Sequence, residues 1–188
     1  LAAITNGTNG FRYLAFNLRR FPMSIPEFRD ALALMIDKEF MAESVLQGAA
    51  IPMYASIPRG NQRWFNQDVA DEIASAYVGK TTEERLAQAL HLLESAGFTW
   101  KVEPMMDAVG HGVLPGSGIS YEGRAVPTLE ILAPGPGYDP LRATYAVWME
   151  TWLEQLGFQA EANPTDFDTL ISRMYVPSSE GELDFDMF

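Results

Sequence analysis

The chain has 188 residues, 47% of them apolar and 12% aromatic, enough for a substantial core and unlike a disordered tract. Thirteen Lys and Arg face 25 Asp and Glu, and the net charge of −12 sets the molecule as a whole against nucleic acid and anionic membranes. Cysteine is absent, which removes disulfide frameworks, thiolate catalysis and cysteine-ligated zinc.

No stretch approaches the about 20 apolar residues that a bilayer-spanning helix needs. No basic-then-apolar leader opens the chain, so any secretory signal is expected to lie outside it. Residues 1–10 are small and polar with two Asn-Gly steps and read as a frayed start. Phe11 to Leu18 alternates loosely and is rich in aromatic residues, which predicts a strand over 11–18 that enters a loop after Asn17.

Ser24 stands three residues before Glu27, the spacing of a capping box, and Pro26 falls where a first helical turn accepts proline. Phe28, Leu32, Met35 and Ile36 follow on one face of the helix so begun. Asp37 is expected to cap a second short helix, which Gly48 closes. Ala49 to Asn66 reads as a long surface excursion.

Thr81 or Thr82 opens the next helix, with Leu86, Leu90 and Leu93 as its buried stripe and Gly97 at its end. The glycine-rich stretch at about 99–126 reads as an inserted loop or hairpin turning at Glu122-Gly123-Arg124. A strand is predicted over 127–133. Asp139 as cap and Pro140 at the first position then open a long helix that ends at Gly157. Strands are predicted over 158–162 and 184–188, separated by a short helix through Leu170 and Met174 that a Thr165–Asp168 capping box would start.

This alternation predicts an α/β fold with a mostly parallel mixed sheet flanked by helices. Such sheets meet ligands at the carboxyl ends of their strands, so the loops after Asn17 and after Ala133 carry the interest. A third such loop is expected beyond Phe188, in a longer parent protein.

Few residues point to chemistry. Gly110 to Gly118 superficially resembles a phosphate loop but lacks Gly-Lys-Ser or Gly-Lys-Thr. His91 and His111 have no flanking ligands, so no metal site is expected. Asp166, Asp184 and Asp186 are the carboxylates that a small metal-dependent α/β hydrolase would use, with Asp168 nearby; a helix cap and polar strand ends are the simpler reading. Pro134 to Asp139 leaves a strand and enters a helix N-terminus, where backbone N–H groups could meet an anion unless Asp139 occupies them. Tyr138 offers an aromatic face and a hydroxyl there, and packing over the helix start explains it equally well.

Four fragments in one order carry a resemblance. They are Tyr13-Leu14-Ala15-Phe16-Asn17 with Arg29-Asp30-Ala31-Leu32 and Ile36-Asp37, then Leu92 to Phe98, then Tyr138-Asp139-Pro140 with Leu156-Gly157-Phe158, and last Asp184-Phe185-Asp186-Met187. Together they resemble the family 5 extracytoplasmic solute-binding proteins of ABC transporters, the peptide, oligopeptide and nickel receptors.

The resemblance implies that residues 1–188 form a single periplasmic-binding-protein-like lobe of a larger two-lobed receptor. It implies a monomer outside the cytoplasm, periplasmic or lipid-anchored to the outer face of the cell membrane. Such a receptor catalyses nothing, needs no cofactor, and hands a captured peptide or other small solute to an ABC permease in the membrane. It also implies that Gly135, Pro136, Gly137 and Tyr138 line the ligand cleft. Asn17 is expected at the end of the neighbouring strand. Pro136 stands where some members carry a basic residue for a peptide carboxylate, so dipeptide-type recognition is not expected. The acidic residue many members use for the ligand's amino group would lie beyond Phe188. Arg29 and Asp37 fall on packing helices and are expected to be structural.

Overall fold

The computed structural model describes residues 10–110, 112–179 and 181–188. Residues 1–9 of the frayed start read over 1–10, and His111, lie outside those residues. In chain order the elements are α1 (Pro26–Met35), α2 (Lys38–Phe40) with a π-turn over Met41–Val45, α3 (Gln67–Ala74) and α4 (Thr82–Ala96). The short strands β1 (Phe98–Thr99), β2 (Met105–Met106), β3 (Val113–Leu114), β4 (Ser120–Tyr121) and β5 (Arg124–Ala125) follow. Then come β6 (Leu129–Pro134), α5 (Pro140–Gln155), β7 (Ala160–Thr165) and α6 (Phe167–Tyr175). They divide into two compact units, one built from residues 14–36 and 82–188 and the other from residues 1–13 and 37–81.

In the larger unit α1 lies against α4. Phe28, Ala31, Leu32 and Met35 are buried on α1, and Leu86, Ala89, Leu90 and Leu93 on α4, as a 3.6-residue period dictates. Phe28 meets Phe158 edge-on at 5.1 Å, and Phe158 meets Phe98 the same way at 5.7 Å, so rings from three segments form the centre of the core. Chain direction reverses at Glu122 and Gly123, both at positive φ (48° and 78°), the geometry of a tight two-residue hairpin between β4 and β5. The expected turn there is therefore present.

β6 and β7 pair in parallel from Leu129↔Ala160 to Pro134↔Thr165, with α5 as the crossover between them. The predicted strands over 127–133 and 158–162 are thus found, each displaced towards the C-terminus. The two outer strands are reduced. Met187 bridges Ile131 in parallel and Phe16 in antiparallel fashion, so the terminal segment lies between β6 and the segment around Phe16. Ala15 and Phe188 exchange backbone hydrogen bonds of 2.8 and 3.1 Å, and Asn17 N–H donates to the Asp186 carbonyl at 2.9 Å. Residues 11–13 belong to no strand. Phe11 and Tyr13 are exposed and rest on each other at 5.7 Å, so their aromatic character marks a surface contact and not a strand. The α/β class holds, but among the described residues parallel pairing is confined to β6, β7 and Met187. The peripheral pairs β1–β4, β2–β3 and β4–β5 are antiparallel.

Two capping boxes are not formed. Ile25, not Ser24, precedes α1 without a side-chain cap, because residues 20–25 form their own turn (Ser24 N to Arg20 O, Ile25 N to Pro22 O, both 2.9 Å). α6 is capped by Asp166, because Thr165 is still held in β7 opposite Pro134. Asp37 and Asp139 do cap, accepting from Phe40 N at 2.9 Å and Arg142 N at 3.1 Å. Arg29 donates to the Met23 carbonyl at 2.7 Å within its own unit.

In the smaller unit Asn66 caps α3 by accepting from Val69 N–H. Tyr54 and Tyr77 stack at 5.5 Å, with Lys38 Nζ over both rings at 4.4 and 4.7 Å. Burial lowers the Lys38 pKa, and the Tyr54 hydroxyl donates to Glu39.

A charge network ties the terminal segment to the larger unit. Arg173 on α6 grips Glu130 of β6 through Nη1 at 2.8 Å and Nη2 at 2.5 Å, and its Nε reaches Asp184 at 2.9 Å. Arg20 reaches Asp186 at 3.0 Å and Asp184 at 3.3 Å. Hydrogen bonds from Arg173 hold the Glu130 carboxyl below its usual range against the opposing effect of partial burial, and Asn163 assists. Arg173 likewise lowers Asp184.

A carboxyl depressed in the folded state stabilises above its unfolded pKa, and that stability is lost as pH falls through the folded value. The melting temperature is therefore expected to fall as pH is lowered below about 4.5. Arg173→Met should cost about 1–3 kcal/mol at neutral pH, between exposed and buried pairs, and flatten that acid slope. Thermal melts of both proteins from neutral to acid pH test this; an unchanged slope in Arg173→Met would refute it.

Candidate functional site

The carboxyl ends of β6 and β7 carry two adjoining loops. β6 ends at Pro134, and Gly135 N–H donates to the Thr165 carbonyl at 2.6 Å, joining the loop to the last residue of β7. The Gly135 carbonyl then accepts from Tyr138 N at 2.9 Å and Asp139 N at 3.1 Å, turning the chain into α5. A Cβ on Gly135 would stand 3.2 Å from the Thr165 carbonyl oxygen, so only glycine fits without displacing backbone. Gly137 meets nothing within 4 Å, and Pro136 is exposed.

Tyr138 is 62% exposed, and its ring lies on Phe167 with centroids 4.5 Å apart and planes 22° apart. Phe167 is the first residue of α6 and is itself partly exposed. The two rings therefore form a ledge across the ends of both parallel strands. Sequence reasoning missed Phe167. Its spacing to Leu170 and Met174 matches a buried helical stripe, and only the stack on Tyr138 reveals its second role.

Both helix N-termini here are occupied by side chains of the chain itself. Asp139 caps α5 and pairs with Arg142 at 3.1 Å, while Asp166 accepts from Thr169 N at 2.9 Å. The bonds to Thr169 lower the pKa of Asp166. A ligand carboxylate or phosphate would compete with these carboxylates for the N–H donors. The ledge thus offers aromatic faces, a phenol and loop backbone, and no open anion cradle.

Asn17 is placed elsewhere. Its segment runs antiparallel to the terminal one, which brings Asn17 level with Glu130 at the opposite end of the sheet from Gly135. Those levels are five residue steps apart, about 16 Å at about 3.3 Å per residue. The Asn17 side chain is buried, donates to the Phe185 carbonyl at 3.0 Å, and accepts from Arg19 N at 3.2 Å. The expectation that both loops leave one edge of the sheet is corrected here: Tyr138, Gly137, Pro136 and Gly135 are brought together, and Asn17 is not.

The hydrolase alternative finds no support. Asp166 is a helix cap, Asp184 and Asp186 are taken by arginines, and one Asp186 oxygen also accepts from Glu130 N at 2.9 Å. Among the described residues no group of three His, Cys, Asp or Glu could hold a metal.

The Tyr138–Phe167 ledge lies at the carboxyl ends of a parallel β-α-β unit, the place where α/β sheets open their crevice. The chain belongs to the bacterial extracellular solute-binding proteins, family 5, matching the model of that family's middle region over residues 3–188. No curated protein matches it.

Solved structures show the same fold at low identity. NikZ of Campylobacter jejuni in complex with Ni(L-His) is 20% identical with a TM-score of 0.57, over 93% of this chain and 28% of that one. The oligopeptide-binding protein OppA is 20% identical with a TM-score of 0.62, over 93% and 24%. The oligopeptide-binding protein AppA of Bacillus subtilis, in complex with a nonapeptide, is 19% identical with a TM-score of 0.59, over 93% and 29%. The chain therefore spans less than a third of the length of each.

Contrasting glycine variants test the loop geometry. Gly135→Ala is expected to lower stability by about 1 kcal/mol by pushing the loop from Thr165. Gly137→Ala should leave the melting temperature within about 0.5 kcal/mol of wild type. Chemical denaturation of both measures it, and equal costs would refute the distinction.

Proposed function

We propose that this chain supplies most of one lobe of a two-lobed extracytoplasmic receptor that captures a peptide and delivers it to an ABC permease. Family membership supports the receptor class. The observation that carries the ligand-facing assignment is the exposed Tyr138–Phe167 stack at the carboxyl ends of β6 and β7.

The chemistry of the ledge favours a peptide. Aromatic faces and loop backbone suit side chains and amides, whereas a nickel complex would gain nothing from carboxylates already committed to caps and arginines. The oligopeptide receptors among the solved relatives support the same substrate class, with other small solutes as the second reading. Ligand binds where Tyr138, with the backbone of Gly135, Pro136 and Gly137, faces a second lobe. Closure of that lobe buries the solute and presents the closed form to the permease. Asn17, whose carboxamide is committed to backbone groups, acts through the fold.

Isothermal calorimetry on the full-length receptor with a mixed peptide pool tests this. Tyr138→Ala and Phe167→Ala are each expected to weaken binding about tenfold, equivalent to about 1.4 kcal/mol, with little change in melting temperature. Asn17→Ala should instead lower the melting temperature by removing buried hydrogen bonds. Peptide affinity unaffected by both aromatic variants would overturn the site. Micromolar binding by residues 1–188 alone would overturn the two-lobed reading.

A further inference from the structure

The charged side chains of the two loops at the aromatic ledge leave an excess of one sign. Residues 134–144, the loop after β6 with the start of α5, hold Asp139 and Arg142. Residues 162–170, the end of β7 with the start of α6, hold Asp166 and Asp168 and no Lys or Arg. Arg142 pairs with Asp139 at 3.1 Å, so those two cancel. Arg173, further along α6, is engaged by Glu130 and Asp184.

Asp166 and Asp168 stand immediately before and after Phe167, the ring that lies on Tyr138, and both are exposed. Asp166 accepts from Thr169 N, a bond that leaves its charge in place. The Asp168 carboxylate pairs with no cation among the described residues. The N-termini of α5 and α6 each add about half a positive charge. Against two carboxylates they leave a net of about −1 beside the exposed rings.

An aromatic face beside an unneutralised carboxylate attracts a cation twice over. The ring draws ammonium or guanidinium to within about 6 Å of its centre, and the carboxylate adds a charge-assisted hydrogen bond. Guanidinium suits the place best, because it is planar, lies flat on a ring and presents N–H groups at its edge. A ligand carboxylate gains neither contact, and the helix N–H donors are already taken by Asp139 and Asp166.

We propose that the Tyr138–Phe167 ledge reads a basic side chain of the captured peptide, arginine ahead of lysine, with Asp166 and Asp168 as its counter-charges. This rests on the receptor reading above and adds the ligand class: cationic peptides over neutral and acidic ones. The aliphatic stem of the ligand's arginine lies along the outward face of Tyr138, which also shields it from water. The larger unit as a whole acts in the same direction. Residues 14–36 and 82–188 carry eight Lys and Arg against 19 Asp and Glu, a field that draws cationic peptides in.

The test is calorimetry of the full-length receptor with short alanine peptides in which each position in turn is Arg, Lys, Gln, Phe or Glu. At the favoured position Arg should bind about tenfold tighter than Gln, the sum of a cation–π contact and an exposed ion pair, with Lys between them and Glu weakest. Raising salt from about 0.01 M to about 1 M should narrow that ratio. Asp168→Asn should cut it to about threefold, and Tyr138→Ala should narrow it as well. Circular dichroism confirms that each variant folds. Equal affinity for Arg, Gln and Phe peptides would overturn the inference and leave the receptor reading standing. An arginine preference unchanged in both variants would place cation recognition away from the ledge and overturn it too. Failure of every peptide to bind would overturn the receptor reading and this inference together.

Discussion

The Asp186 carboxylate fixes the order of the central sheet. One oxygen accepts the Glu130 N–H at 2.9 Å and the other takes Arg20 at 3.0 Å. The terminal segment contributes few backbone bonds to its neighbours, too short a ladder to hold a strand in register unaided. Side-chain charge takes over that work. Glu130 passes the connection to Arg173 and Asn163, and Arg173 returns it to Asp184, so α6, β6, β7 and the terminal segment are tied in one circuit. The arginines sit about one-fifth to one-third exposed, where ionic hydrogen bonds retain strength without the full desolvation cost of a deep core.

That circuit stands at the level of Glu130, away from the carboxyl ends of β6 and β7. The division leaves the end proposed to face ligand to a different chemistry. There the two helix N-termini are closed by Asp139 and Asp166, so the positive ends of α5 and α6 are spent on the fold. In the proposed site, affinity comes from Tyr138, Phe167 and the loop backbone. This accounts for an exposed aromatic stack in a place where many α/β proteins cradle a phosphate.

Local chemistry was legible in the sequence, and long-range chemistry was not. Asp139-Pro140 and Asp37 announced helix starts because a cap needs only the three or four residues after it. The Ser24–Glu27 spacing misled because a turn over residues 20–25 claimed the same backbone groups. Thr165 misled by one residue, since pairing with Pro134 keeps it in β7. Phe11 and Tyr13 read as strand by residue type, yet β preference reports fit to a pleated sheet face, and neither lies in a strand. The misplacement of Asn17 has a deeper cause. Strand direction is a property of the assembled sheet, and nothing within residues 11–18 distinguishes a parallel from an antiparallel neighbour. The arginine circuit joins residues up to 166 positions apart, beyond any periodicity.

In the proposed receptor the ledge also constrains how tightly a solute is held. Tyr138 is already stacked on Phe167, so a ligand meets a pre-oriented face and little side-chain freedom is lost on binding. One outward ring face and a turn of backbone still touch a peptide from one side only. A stacking contact contributes about 0.5–1.5 kcal/mol, whereas association itself costs several times that in lost translational and rotational freedom. The surplus needed for capture has to come from burying the opposite side of the ligand. In that reading an exposed ledge on a β-α-β frame is half a site: orienting and selective by itself, retentive only when another surface closes over it.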